Sequence, residues 1–284
     1  MAAFPQPPVP KSTAMNVPEY METTPAPGIR IPYGKEAPDQ FGDLRVPTGP
    51  GPFPVAVVVH GGWWRSMFAL TYAGWMSEAL TAAGVATWNI EYRRVGNGGG
   101  YPNTLYDVTA ALGELRLIAA DYPLDLARVV VTGHSAGGHV AGWLAAKPTR
   151  RALDKFGEPF PLIGAVPVAG ALDLKLVSEL GVTDTVGSPA HDFLGGTPAE
   201  VPENYALASP AEWLPAGIPV VAIHGSQDDV VPVEISRRYV SRAQAAGDPA
   251  KLIVLDGVEH FAPFDPSTNA GKTVRDTVLE LLKP

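Results

Sequence analysis

From residue 54 onward, short apolar runs alternate with longer stretches whose apolar positions recur at helical spacing. Val55-Ala56-Val57-Val58-Val59 is a continuous β-branched run, the pattern of a strand buried on both faces. The spacing then predicts a helix over 68–83, closed by Gly84, and a strand over 85–90. A helix over 105–120, a strand over 128–132, a helix over 136–146 and a strand over 161–169 follow. After an irregular stretch come a strand over 219–224, a helix over 233–246, a strand over 251–255 and a last helix over 273–282. Such alternation predicts an α/β fold with a mostly parallel central sheet and helices on both faces.

Two regions break the pattern. The first fifty residues are rich in proline and glycine, which predicts an extended N-terminal arm with one early hairpin, 29–33 against 41–46. Residues 51–284 then form one domain. Between 171 and 214 prolines and glycines recur and the only helical run, 172–180, is short. That segment predicts a small lid.

Composition narrows the function classes. The chain of 284 residues is 46% hydrophobic and 18% charged, enough apolar material for a large core. A net charge of -8 without a basic run argues against nucleic acid or an anionic membrane as partner. No stretch approaches the ~18 consecutive apolar residues of a membrane span, and the N-terminus lacks the charged start and apolar core of a signal peptide. A cytoplasmic location is therefore expected. With no cysteine the chain has neither disulfides nor a thiol nucleophile. No His-Glu-x-x-His or similar cluster occurs, so neither metal nor other cofactor is expected. Oligomeric state is not encoded in any pattern of this kind.

Chemistry concentrates at the ends of the predicted strands. Val129-Val130-Val131 runs into Gly133-His134-Ser135-Ala136-Gly137, a G-x-S-x-G motif in the strand–turn–helix setting that the motif requires. Serine needs a base to remove its proton as it attacks. His260, on a loop after the strand 251–255, is the candidate base. Acids stand at 228 and 229 after the strand 219–224, and Asp173 follows the preceding strand. Asp173 also suits the N-cap of the short lid helix. The residue after a nucleophilic serine offers its backbone N–H to the developing oxyanion, which designates Ala136. Upstream, His60-Gly61-Gly62-Trp63-Trp64 continues directly from the run Val55–Val59.

The chain order Ser, Asp, His and these motifs resemble the α/β-hydrolases. HGGWW at 60–64, GHSAGGH at 133–139 and HGSQDDVVP at 224–232 are similar to the esterase and kynurenine formamidase-like branch. The resemblance covers roughly residues 50 to 284. It implies an α/β-hydrolase fold and a Ser135–His260–Asp228 triad, with the oxyanion held by the amides of Gly62, Trp63 and Ala136. In relatives with an H-G-x-x-D-D element the first aspartate is the triad acid, which favours Asp228 and leaves Asp229 to cap a helix or orient the loop.

The activity implied is hydrolysis of small carboxylic esters, short acyl or aryl, through an acyl-enzyme. An arylformamide is the alternative substrate, and a non-catalytic ligand-binding protein on the same fold the rival from another class. Trp63, Trp64 and His134 are expected to line the substrate pocket. His60, His139 and His224 are expected to be structural, and His191 lies in the lid.

Overall fold

In the computed structural model, residues 18, 21, 23–146, 160–183 and 187–284 are described. Eight strands form one sheet in the order β1-β2-β4-β3-β5-β6-β7-β8. Strands β3 (Phe53–Val59), β4 (Ala86–Ile90), β5 (Leu124–His134), β6 (Gly164–Val168), β7 (Val220–Gly225) and β8 (Ala250–Leu255) run parallel. Strands β1 (Ile29–Pro32) and β2 (Phe41–Arg45) are antiparallel to their neighbours. The central strands are fully covered: Val55 to Val59 and Val129 to Val131 are all buried, which is why they read as unbroken hydrophobic runs rather than alternating ones.

The expected hairpin is present, but it is no appendage. Through β2 it joins the main sheet beside β4, and Arg30 grips Asp43 across the pair with bonds of 2.9 and 3.1 Å. The expected boundary near residue 50 therefore falls inside one continuous sheet. The rest of the expected arm, residues 1–17, lies outside the described residues.

The helices are α1 (Gly74–Ala82), α2 (Asn103–Ile118), α3 (Ala136–Ala146), α4 (Leu174–Glu179), α5 (Pro189–Leu194), α6 (Pro202–Ala208), α7 (Val233–Ala245) and α8 (Asn269–Leu281). The helix expected over 68–83 starts later. Leu70–Ala73 forms a tight 3₁₀ turn because the Glu91 carboxylate captures the Leu70 N–H at 2.9 Å. The region 171–214 carries more order than expected, with α4, α5, α6 and a further 3₁₀ turn, Pro210–Trp213. Each α-helix there has only six or seven residues, too few to show a helical repeat in sequence. Asp173 is the N-cap of α4, accepting from the Leu176 N–H at 3.1 Å. Among the described residues no helix is long and apolar enough to cross a membrane.

Candidate active site

The parallel strands deliver the chemistry-bearing loops to the edge of the sheet where they end. After β3 comes His60, after β5 Ser135, after β7 Asp228 and after β8 His260. Ser135 sits at a turn so tight that its φ is 56°, a left-handed conformation uncommon for a residue with a side chain. Its N–H donates to the Val168 carbonyl at 2.8 Å, and its carbonyl accepts the first helical bond from His139 N–H at 3.0 Å. A Cβ on Gly133 would stand 2.4 Å from the Gly137 carbonyl oxygen, and one on Gly137 2.2 Å from that of Val59. Only glycine permits these approaches. Ala136, the first residue of α3, presents the positive end of that helix beneath the serine.

The turn that follows β3 is left-handed three times in succession, at Gly62 (φ 109°), Trp63 (57°) and Trp64 (54°). Arg65 N–H closes it on the Gly62 carbonyl at 2.9 Å. Two non-glycine residues with positive φ in a row require outside support, and a buried polar network beneath the turn supplies it. His60 faces the Gly61 carbonyl oxygen with Nδ1 at 2.7 Å and the Glu91 carboxylate with Nε2 at 2.9 Å. Its ring stacks on Tyr92, centroids 4.4 Å apart, and Tyr92 donates its hydroxyl to the His60 carbonyl at 2.9 Å. Glu91 also takes Arg94 at 2.9 Å. Burial pushes the Glu91 carboxyl pKa up, but the adjacent His60 and Arg94 outweigh that and hold it below its ordinary value. His60 is thus the structural residue expected. Glu91 was invisible in sequence, where a lone acid after a strand carries no signature.

On the acid loop, Asp228 and Asp229 part company. The Asp228 side chain is wholly buried and accepts from His260 Nδ1 at 2.7 Å. Its other oxygen takes the backbone N–H groups of Val230 and Val231 at 3.0 and 2.7 Å. Asp229 is exposed, and the N-cap position of α7 is Pro232, so Asp229 does not cap that helix. His224 completes the surround. Its Nε2 lies 2.7 Å from the Val231 carbonyl and 3.2 Å from Asp228, and its Nδ1 pairs with the Ser236 hydroxyl at 2.8 Å. Burial raises the Asp228 pKa, but the hydrogen bonds from His224 and His260 win and hold it well below the usual carboxylate range. Asp228 is therefore ionised at neutral pH, the state that orients and stabilises a histidine partner.

Ser135, His260, Gly62 and Trp63 line one narrow cleft, whose remaining walls are Met21, Phe68, Tyr72, Val230 and Phe261. Two residues expected in this pocket are elsewhere. Trp64 is buried behind the turn, stacked on Phe193 of α5 at 4.8 Å and donating its Nε1–H to His139 Nδ1 at 3.2 Å. Successive left-handed residues send its side chain away from that of Trp63. His134 is likewise fully buried. It accepts from the Tyr72 hydroxyl at Nδ1 and donates from Nε2 to the His260 carbonyl at 2.8 Å. Burial, followed by the proximity of His260, drives its pKa well below 6.5, so the ring is neutral. The walls contributed by Met21, Phe68, Tyr72, Val230 and Phe261 were not foreseen, because single apolar residues far apart in the chain give no local pattern. Among the described residues, no group of three or more potential ligands is placed to hold a metal ion.

Comparison with known proteins follows the same lines. Over 261 residues the chain is 30% identical to Esterase LipC of Mycobacterium tuberculosis, covering 89% of this chain and 64% of that protein. It is 27% identical over 227 residues to kynurenine formamidase avaC of Aspergillus versicolor, covering 68% and 76%. A truncated carbohydrate esterase from gut microbiota has the same fold, with a TM-score of 0.77 at 23% identity over 91% of this chain and 97% of that one. The chain spans less than two thirds of the length of LipC. Residues 43–242, from β2 to near the end of α7, match the BD-FAE family. The chain belongs to the BD-FAE family and has the α/β-hydrolase fold.

Proposed function

We propose that this chain is a serine hydrolase that cleaves small carboxylic esters, with short acyl or flat aryl groups, through an acyl-enzyme. The observation that carries the reading is one cleft lined by Ser135, Gly62, Trp63 and His260, with His260 bonded to a buried, ionised Asp228. Nδ1 of His260 is engaged by Asp228, which leaves Nε2 as the base. Ser135 Oγ attacks the ester carbonyl carbon and its proton passes to His260 Nε2. The carbonyl π pair moves onto oxygen, where the amides of Gly62, Trp63 and Ala136 receive it. Such donors are worth ~10²–10³ in rate each. Collapse expels the alcohol, which takes the proton from His260. Water then attacks the acyl–Ser135 ester with His260 again as base, releasing the acid and restoring the hydroxyl.

The LipC similarity supports an esterase. The cleft is narrow and bounded by the apolar side chains of Met21, Phe68, Tyr72, Val230 and Phe261, which favours a short acyl group over a lipid chain. Similarity to a kynurenine formamidase supports a second substrate class, arylformamides, whose formyl group is the smallest acyl of all. The test is labelling of Ser135 by a fluorophosphonate, followed by turnover of p-nitrophenyl esters of increasing acyl length beside an arylformamide. Labelling with acetyl and butyryl turnover supports the ester reading. Formanilide cleavage that exceeds every ester selects the amidase. Absence of labelling and turnover alike leaves a ligand-binding protein.

A further inference from the structure

We propose that Met21, supplied by the chain ahead of β1, sets the upper limit on acyl length in the cleft beside Ser135. The inference rests on the ester-hydrolase reading above and names the residue that gives it its substrate class.

Met21 is 3% exposed and forms a wall of the cleft together with Phe68, Tyr72, Val230 and Phe261. Those four belong to segments fixed by the sheet or by the loops that follow its strands. Met21 is brought in from outside that frame, and the residues just after it explain how it is held. Trp75, at the start of α1, donates its Nε1–H to the Thr23 carbonyl at 3.1 Å and to the Thr23 hydroxyl at 3.2 Å. Pro25 and Thr24 lie against Gly74, where a Cβ would come within 3.0 and 3.2 Å of them. Arg45 of β2 donates to the Ala26 carbonyl at 2.5 Å. The segment is thus fastened to α1 and β2, and the Met21 side chain is directed onto the mouth of the site.

The wall at Met21 is assigned to the acyl group rather than the alcohol. Alcohol must leave, and water take its place, while the acyl group stays bonded to Ser135. A wall beside Ser135 therefore acts on the part that remains through both steps. Methionine is unbranched and fills irregular gaps. Truncating it to alanine removes three heavy atoms, room for roughly three further methylenes, and each methylene added to an apolar pocket is worth about tenfold or more in kcat/KM.

The experiment compares p-nitrophenyl acetate, butyrate, hexanoate and octanoate on the parent chain, Met21→Ala and Trp75→Phe, with acetate esters of longer alcohols as a second series. Met21→Ala is expected to raise the hexanoate-to-acetate ratio of kcat/KM by at least about tenfold. Trp75→Phe, which loses the N–H that fastens Thr23, is expected to raise the same ratio. Fluorophosphonate labelling of Ser135 and a cooperative melt confirm a folded site in each variant. An unchanged acyl ratio in both folded variants overturns the role of Met21 and leaves the esterase reading intact. A change confined to the alcohol series overturns it as well. If the parent turns over no ester and Ser135 takes no label, the esterase reading fails first, and the two failures are distinct.

Discussion

His134 Nε2 donates to the backbone carbonyl of His260 at 2.8 Å, so the residue before the proposed nucleophile holds the main chain of the proposed base. The two rings also lie 4.6 Å apart. A protonated His134 would place a cation against the imidazolium that His260 becomes in the proposed mechanism, and burial keeps it neutral. His134→Phe preserves the ring but leaves that carbonyl without its donor. It should lower kcat by about tenfold or more while KM stays within about threefold, at a cost of about 1–3 kcal/mol in stability. Steady-state kinetics beside urea unfolding checks this. A stability loss with kcat unchanged would limit His134 to packing.

Ser135→Ala should abolish ester hydrolysis and fluorophosphonate labelling. The fold should persist, because the Ser135 backbone bonds to Val168 and His139 survive the change. Activity within tenfold of the parent chain would sink the nucleophile assignment, and a far-UV spectrum with a thermal melt shows that the variant is folded.

The two adjacent aspartates should separate sharply. Asp228→Asn removes the charge that faces His260 and His224, and kcat should fall by about 10⁴ by analogy with other triads. Asp229 is exposed, and Asp229→Asn should stay within about threefold of the parent. Asp173, committed to the N-cap of α4 and to Arg242 at 3.3 Å, should alter stability rather than kcat. Parallel kcat measurements on the three asparagine variants decide between them.

Stability should decline in mild acid. Burial lowers the His139 pKa from 6.5 to about 4, partly opposed by its hydrogen bond to Ala208. The native ring thus binds fewer protons than the unfolded one between those values. Its contribution is complete above about 6.5 and is lost as pH falls towards 4, on the order of 3 kcal/mol in all. His134, shifted in the same direction, adds to the slope. Asp228 contributes stability that disappears only below its ordinary 3.8. His139→Gln keeps one donor and one acceptor without a titrating ring. Urea midpoints near neutrality and near pH ~4.5 should differ less in this variant than in the parent, and equal differences would refute the assignment.

Glu91→Gln should cost about 3–5 kcal/mol, the usual consequence of removing one member of a buried ion pair. Here it leaves Arg94 and His60 without their shared carboxylate. Because His60 carries the turn of Gly62 and Trp63, kcat should fall as well. Chemical denaturation combined with acetate-ester kinetics tests both effects. Loss of neither would show that the turn stands on its own backbone.

The parallel strands and the loops after them were legible because their physics is local. A buried strand leaves an unbroken β-branched run such as Val55–Val59, and a strained turn leaves glycines such as Gly133 and Gly137 where backbones nearly touch. What escaped was long-range. Glu91 under His60, Met21 beside Ser135 and Trp75 on Thr23 join residues that no periodicity links. The directions of Trp64 and His134 depended on φ values and on neighbours from other loops, which is why the sequence set both in the pocket and the structure buries both outside it. The short helices α5 and α6 were missed for want of length.

The stack of Trp64 on Phe193 has a consequence for how substrate is met. The same turn is tied to α5 by Arg65 and Asp192 at 2.5 Å, and His139 beneath it donates to Ala208 at the end of α6 at 2.8 Å. These contacts fasten α5 and α6 to the turn of Gly62 and Trp63, so that they move as one body. Helices held in this way do not swing off on touching an oil droplet. The rate should therefore follow simple saturation in dissolved substrate and show no jump as the ester passes its solubility limit.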